Sequence, residues 1–444
     1  MNKLPKICKD CGPLPTSHFV KYVKSITDYI LPKINFSQLP INDDIIDKIF
    51  LKLGLLKKET RFPREKISLR SMVFIDEAKK RGLKFWALKS RFGYLNTFHM
   101  ERNKKIFSFE GLPRAEFLNT EVTGLVDDKA AVKKILIQNQ IPAPKGKLFW
   151  LFEKKKACSY GRQLGFPLVV KPRSGSISHH VTANIRTEDE LIRAIKSAVN
   201  YEPSFIVEKH LENTKIFRAT IIDKKQLACV ERIPAHVTGD GTHTIRELIE
   251  IKNTDPRRGQ PRAKNTTLYK LVINDTSERL LREQGFDLDR VPTIGQKVWL
   301  QNKIILDLGA DLLEVTPRIH PDNMALFIKI TEIFNTRLIG IDFLAEDIGR
   351  SWKEQNAGII ELNSLPYIDM HHFPTWGQPI NVAAYVCDLV EKYYYSNKYA
   401  NQTQTQHRHS LWRPLGRTRS IFTIGQKCNR GAGQKKISSY FNRY

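Results

Sequence analysis

The sequence predicts an α+β protein headed by a small α/β unit, and three observations carry that prediction. From Phe166 onward short β-patterned runs follow one another: FPLVVKP, SFIVEKHL, IFRATII and QLACVERI. Between the first two lies TEDELIRAIKSAV, a helical pattern opened by Thr187 and Glu190 at the spacing of a capping box. Ahead of them, SMVFIDEAKKRGLKFWALKS reads as a helix closed at Gly82 and followed by a strand, which makes one α/β unit.

The 444 residues are 41% hydrophobic and 27% charged, enough apolar material for a large core and too much for wholesale disorder. No run approaches about 18 uncharged apolar residues, so no membrane span is expected. The N-terminus MNKLPKICKDCGPLP lacks the apolar centre of a signal peptide. Six cysteines are too sparse for a disulfide scaffold, and the expectation is a soluble cytoplasmic protein. The net charge is +26, and residues 401–444 hold nine Lys or Arg with no Asp or Glu, so the first 400 residues carry +17. Such a balance suits a nucleotide, an acidic metabolite, a nucleic acid or an anionic lipid, and equally a Lys-rich chain with no anionic partner. Charge alone decides nothing.

Along the chain, residues 1–60 mix short amphipathic patterns with lysines and read as mostly helical. VDDKAAVKKILIQNQIPAPKG predicts a helix from Asp128 to Asn139, with Val132, Ile135 and Leu136 on its apolar side and Pro142 and Pro144 as the stop. IFRATII and QLACVERI, joined by DKK, predict a hairpin. A loop-rich stretch, PAHVTGDGTHTIRELIEIKNTDPRRG, follows. Strands return in LIGIDFLAED and AGIIELNS, and a helix near 380–395 closes the folded part. The polar, basic end of the chain is expected to be a poorly ordered tail.

The residues able to carry chemistry fall on these elements. Strand alternation puts Glu361 and Asn363 on one face of GIIELN, with Ile360 and Leu362 opposite, and sets Asp342 opposite Ile341 and Phe343. Two carboxylates and an amide oxygen are hard donors suited to Mg²⁺, and equally a solvated sheet face. Lys171 ends an apolar strand and opens the loop RSGSISHH, where hydroxyls and backbone N–H groups are placed to meet a phosphate. Lys129, at the start of the earlier helix, is a second candidate for that phosphate; solvent serves either lysine as well. Two readings stand for Arg218 and, on the neighbouring strand, Arg232. One is a clamp on a phosphoryl group or carboxylate, and the other is a structural ion pair with Glu231 or Glu208. No G-x-x-x-x-G-K-[ST] and no G-x-G-x-x-G after a strand occurs. Cys8 and Cys11 make half a zinc site without a second C-x-x-C, and His371–His372 read as loop-shaping.

Taken in order, DDKAAVKKILIQNQIPAPKG, GFPLVVKP, IVEKHL, VTGDGTHTIRELIEIKNTDPRRG, EVTPRIHPDN, IGIDFLAEDI and GIIELNSLPYIDMHHFPTWGQP resemble the ATP-grasp superfamily, and more narrowly the ATP-grasp part of cyanophycin synthetases. The resemblance covers about residues 125–395. It implies two α+β subdomains sandwiching ATP, behind an α/β pre-ATP-grasp domain. The division implied is 1–124 for the N-terminal segment and that domain, 125–398 for the ATP-grasp domain and 399–444 for the tail.

The resemblance also implies activation of a carboxylate as an acyl phosphate and its capture by an amine. Lys129 and Lys171 then look like phosphate ligands, with Ser174, Gly175 and Ser176 in the phosphate loop, and Glu208 and Leu211 look like the adenine hinge. Asp342, Glu361 and Asn363 look like the Mg²⁺ (or Mn²⁺) set, and Arg218 and Arg232 like clamps on the reacting groups. The substrates implied are a small carboxylate and an amine, an amino acid or peptide among them. The loop SGSISHHV has fewer glycines than is usual in the family, and Lys215 stands where relatives often place an acidic residue against the ribose. No counterpart of the P-loop-bearing Mur-ligase-like domain of cyanophycin synthetases is present in these residues, so a ligation other than cyanophycin synthesis is expected. A binding protein without catalysis, and a nucleic-acid binder using the basic tail, are the rival readings; an intact metal set speaks against the first.

Overall fold

Alternating apolar and polar residues make the strands, and their register decides what each sheet presents. The computed structural model describes residues 49–395, apart from 92, 114–124, 127, 174–179, 262, 303 and 305. The chain's basic end and the helical reading of residues 1–48 lie outside the described residues.

The first unit is an antiparallel meander, β1 (Lys57–Glu59), β2 (Lys84–Ser90), β3 (Gly93–Arg102) and β4 (Lys105–Glu110), with helix α1 (Leu69–Lys80) inserted after β1. The helix ends where Gly82 turns left-handed, at φ +78°, a conformation that costs glycine nothing. The helix–strand unit read from the sequence is present and is extended by β3 and β4. Phe74, Phe85, Phe98 and Phe109 pack edge-on or tilted in its core.

Helix α2 (Lys129–Gln138) follows, its first amides capped by the Asp128 carboxylate. Next comes a four-stranded antiparallel sheet ordered β5-β8-β6-β7, from β5 (Gly146–Trp150), β6 (Leu168–Pro172), β7 (Thr182–Ile185) and β8 (Ser204–Lys209). Helices α3 (Lys154–Leu164) and α4 (Glu188–Tyr201) cover one face, meeting Leu168, Val170, Phe205 and Val207. The Thr187–Glu190 capping box expected at the start of α4 is there.

A five-stranded antiparallel sheet forms the other half, running in order from β15 (Asp311–Glu314) through β10 (Gln226–Ile233), β9 (Lys215–Ile222) and β16 (Leu338–Ala345) to β17 (Ala357–Asn363). The hairpin of β9 (Lys215–Ile222) and β10 (Gln226–Ile233) turns at Asp223 and Lys224, both left-handed at φ 50° and 62°. Between β10 and β15 the chain makes a small unit: β11 (His236–Thr238), α5 (Ile245–Asn253), β12 (Arg258–Gly259), β13 (Leu268–Tyr269), α6 (Asp275–Glu283) and β14 (Lys297–Trp299). The loop-rich reading of this stretch is corrected by α5. Its Thr244–Glu247 capping box opens a turn that buries Ile245, Leu248 and Ile249 on one side. Then come β15 (Asp311–Glu314), α7 (Pro321–Ile333), β16 (Leu338–Ala345), β17 (Ala357–Asn363), α8 (Asp369–His372) and α9 (Val382–Val390).

The two faces of the large sheet differ in kind. Phe217, Ala219, Ile221, Ile339, Ile341 and Phe343 point to α2 and α7 and are fully buried there. The opposite face carries Arg218, Thr220, Gly340 and Asp342. At one end of that face Ile222, Ala228 and Leu338 join α1 and α9 in a shared core, which fixes the N-terminal unit to the sheet. Among the described residues no helix is long and apolar enough to cross a membrane, and Cys158, Cys229 and Cys387 are free thiols.

Candidate active site

The small sheet and the polar face of the large one enclose a cleft of about 650 Å³. Val169, Lys171 and Glu208 line it from the small sheet, Arg232, Asp342 and Glu361 from the large one, and Lys129 from the start of α2. The segment linking the sheets, including Leu211, Thr214 and Lys215, closes one side, and Lys297 and Trp299 of the small unit close another.

On the large sheet, register builds a row of charge. Arg218 of β9 pairs directly with Asp342 of β16, which pairs directly with Glu361 of β17. Directly paired residues share a face, so the three side chains stand side by side. Arg218 Nε donates to Asp342 Oδ1 at 2.5 Å and Nη2 to Oδ2 at 2.9 Å, while Arg232 Nη1 stands 3.6 Å from Oδ1. Burial works against the Asp342 carboxylate, but Arg218 and Arg232 outweigh it and hold the group below its ordinary range. Arg232 is pulled below its ordinary value by burial, and Asp342 offsets only part of that. The partner that the sequence suggested for Arg218, Glu231 or Glu208, is thus replaced by Asp342. Glu231 lies near Lys215 instead, at 3.7 Å. Arg218 stands behind Asp342, outside the cleft lining, with its Nη1 buried and unbonded.

Strict alternation fails at one position. A bulge opposite Asp342 and Phe343 makes Ile360 an extra residue, so Ile359 and Leu362 both enter the core while Ile360 lines the cleft beside Glu361. Asn363 remains on the Glu361 side by alternation, lies outside the cleft lining, and has a buried Nδ2 without a hydrogen-bond partner.

On the small sheet, Glu208 is 3% exposed and takes a lysine on each oxygen. Lys171 Nζ is 2.7 Å from Oε1 and Lys133 Nζ is 2.5 Å from Oε2. Burial pushes the Glu208 carboxyl up, but the two ammonium groups together bring it below its ordinary range. Lys171 also donates to the Ile360 carbonyl across the cleft at 3.3 Å. Gly146 pairs with Glu208, and a Cβ there would collide with the Glu208 side chain.

Helix α2 touches both walls. Lys129 Nζ lies 3.5 Å from Glu361 and Lys133, one turn on, reaches Glu208. Its cap Asp128 also accepts from Arg173 Nε at 3.2 Å and Nη2 at 2.5 Å, tying the helix to the residue before 174–179. Ser174, Gly175 and Ser176 lie outside the described residues. Lys133 was missed because the apolar positions around it hid its place one turn after Lys129. His371 and His372 lie away from the cleft lining: His371 Nε2 is 2.9 Å from Thr220 Oγ1, and His372 Nε2 accepts from the Ala383 amide. Among the described residues no group of three or more His, Cys, Asp or Glu is arranged to hold a metal ion.

Two layered sheets over a charged cleft match a solved bifunctional glutathione synthetase from Pasteurella multocida, with TM-score 0.56 and 21% identity, over 74% of this chain and 44% of that one. The chain has the ATP-grasp fold. By sequence it is similar to the cyanophycin synthetase of Trichormus variabilis, 34% identical over 71% of this chain and 34% of that protein. The Synechocystis cyanophycin synthetase is 36% identical over 60% of this chain and 30% of its own length. A bifunctional glutathione biosynthesis protein of Clostridium perfringens is 26% identical over 73% and 41%. The chain therefore spans about a third of the length of the first of these curated relatives. No family model matches it. In this ATP-grasp fold the cleft between the sheets gathers Lys129, Lys171, Glu208, Leu211, Arg232, Asp342 and Glu361, read from the sequence one by one, into one place.

Proposed function

We propose that this ATP-grasp chain is an ATP- and Mg²⁺-dependent carboxylate–amine ligase that forms an amide or peptide bond and releases ADP and phosphate. The observation that carries the proposal is the meeting of Lys129, Lys171 and Arg232 with Asp342 and Glu361 on one cleft. Residues 125–398 form the catalytic unit in this reading, and the N-terminal sheet buttresses it through the shared core.

The cations have a clear task. Lys171 and Lys129 would take the phosphates, and the segment around Leu211 would take the adenine. Arg232, with Arg218 behind Asp342, would face the oxygens of the transferred phosphoryl group, where fixed positive charge lowers the barrier by electrostatics and positioning. The substrate carboxylate attacks the terminal phosphorus, ADP departs, and the amine then displaces phosphate from the acyl phosphate.

The residues fit a magnesium or manganese ion. Asp342 and Glu361 occupy directly paired positions and line the same cleft, and they offer only oxygen to a hard cation. These two would hold it, and Asn363, on the Glu361 side of β17 but outside the cleft lining, is the further candidate ligand. When bound, such an ion neutralises charge on the phosphate oxygens. Lys129 and Arg218 hold the two carboxylates in place through their ion pairs.

The test is ATP-dependent phosphate release screened over amino acids, short peptides and amines, with mass spectrometry of the products. An amide product with stoichiometric phosphate supports the reading. Absence of both ATP binding and phosphate release across the screen removes it.

A further inference from the structure

The buried group on the small sheet does not balance its charge. Two ammonium groups, Lys133 and Lys171, share one carboxylate, Glu208, and both cations are less than a tenth exposed. Lys133 is bound further by the Pro144 carbonyl at 2.6 Å, which cannot neutralise it. An excess cation in a buried place is costly unless an anion comes to meet it. Lys133 itself is on the far side of Glu208 and is absent from the cleft lining, whereas Lys171 lines the cleft. The surplus is therefore presented through Lys171.

We infer that Lys133 is a positioning residue for a nucleotide polyphosphate. By occupying one oxygen of Glu208 it stops that carboxylate from cancelling Lys171 and leaves the trio with one net positive charge for the phosphates. The inference rests on the nucleotide reading of the cleft and adds a residue that never touches the ligand. Its consequence is graded: the ratio of ATP to adenosine affinity rises with the trio's charge, whatever Glu208 itself contributes to the adenine.

The full-length chain is titrated calorimetrically with adenosine, AMP, ADP and ATP. Lys133→Met brings the trio to zero, Glu208→Gln raises it to +2, and the double variant restores +1 with Lys171 alone. For Lys133→Met, ATP affinity falls about 10- to 100-fold and adenosine affinity by no more than about threefold, because only phosphates sense the lost charge. The ratio of ATP to adenosine affinity follows the net charge across the four proteins, and Lys133→Arg keeps the wild-type ratio. A purely structural lysine moves adenosine and ATP together, and that result, or an unchanged ATP affinity in Lys133→Met, overturns the inference. Should Lys133→Met fail to fold, the double variant against Glu208→Gln carries the same comparison, and equal ratios in those two overturn it. Wild-type protein that binds no ATP would instead sink the nucleotide reading itself.

Discussion

Arg218 and Asp342, 124 residues apart in sequence, face each other at directly paired positions of β9 and β16 and join through two hydrogen bonds of 2.5 and 2.9 Å. Both are about 95% buried. Such a pair is held by mutual need: each charge has left water, and each is tolerable only while the other is present.

The first prediction follows from that dependence. Asp342→Asn leaves the Arg218 guanidinium buried beside a neutral amide and should cost about 3–5 kcal/mol of stability. Replacing both with apolar residues, Arg218→Met with Asp342→Leu, should cost less, because the Arg218 guanidinium leaves with its carboxylate and only Arg232, which lines the cleft, loses a partner. Denaturant unfolding of the three proteins checks this, and a single variant as stable as wild type would show that the pair contributes nothing.

Glu361→Gln should abolish phosphate release while the melting temperature stays within a few degrees of wild type. The amide keeps the shape of the side chain but cannot neutralise a divalent cation comparably. Glu361 lines the cleft, and the amide oxygen of the variant can still accept from Lys129, 3.5 Å away. Near-normal turnover in this variant would remove Glu361 from the metal set.

Lys171→Ala should weaken ATP far more than adenosine, since the lost group is placed for phosphate. Calorimetry with both ligands reads the difference. Equal losses would point to a collapse of the small sheet, and no loss would put the phosphates elsewhere.

The fourth prediction concerns pH and lies away from the cleft. Burial, helped by His371 and Lys80 and opposed by Glu77, pushes the His372 imidazole from 6.5 down to about 4. The folded protein thus refuses a proton that the unfolded chain accepts between those values. Stability from this group is complete above pH 6.5 and drains away as the pH falls towards 4, by up to about 3 kcal/mol. His372→Gln keeps an acceptor for the Ala383 amide and cannot titrate. Thermal melts from pH 7 to 4.5 should fall less steeply in the variant, and parallel curves would exclude His372 as the cause.

Much of the fold was legible because local rules suffice for it. The Thr187–Glu190 cap, the Asp128 helix start and the hairpin at Asp223–Lys225 depend on neighbours within a few residues. The apolar alternation of IFRATII and LIGIDFLA told which face is core, since both strands keep one buried face throughout. The α5 helix was missed although its cap was present, because Gly, Asp and Pro residues on either side outweighed one short amphipathic turn.

The sequence by itself determined which residues carry charge and on which face of its strand each one lies, since alternation is a property of the chain. Only the tertiary structure decided which charges meet. Arg218 takes Asp342 because β9 and β16 pair in that register, and a shift by one residue would turn Arg218 into the core. Ile360 reaches the cleft because a bulge interrupts β17. Lys133 acts at the site because α2 lies across both sheets, which brings it to a carboxylate 75 residues away. Contacts of that kind depend on distances between elements, and no periodicity within one element encodes them.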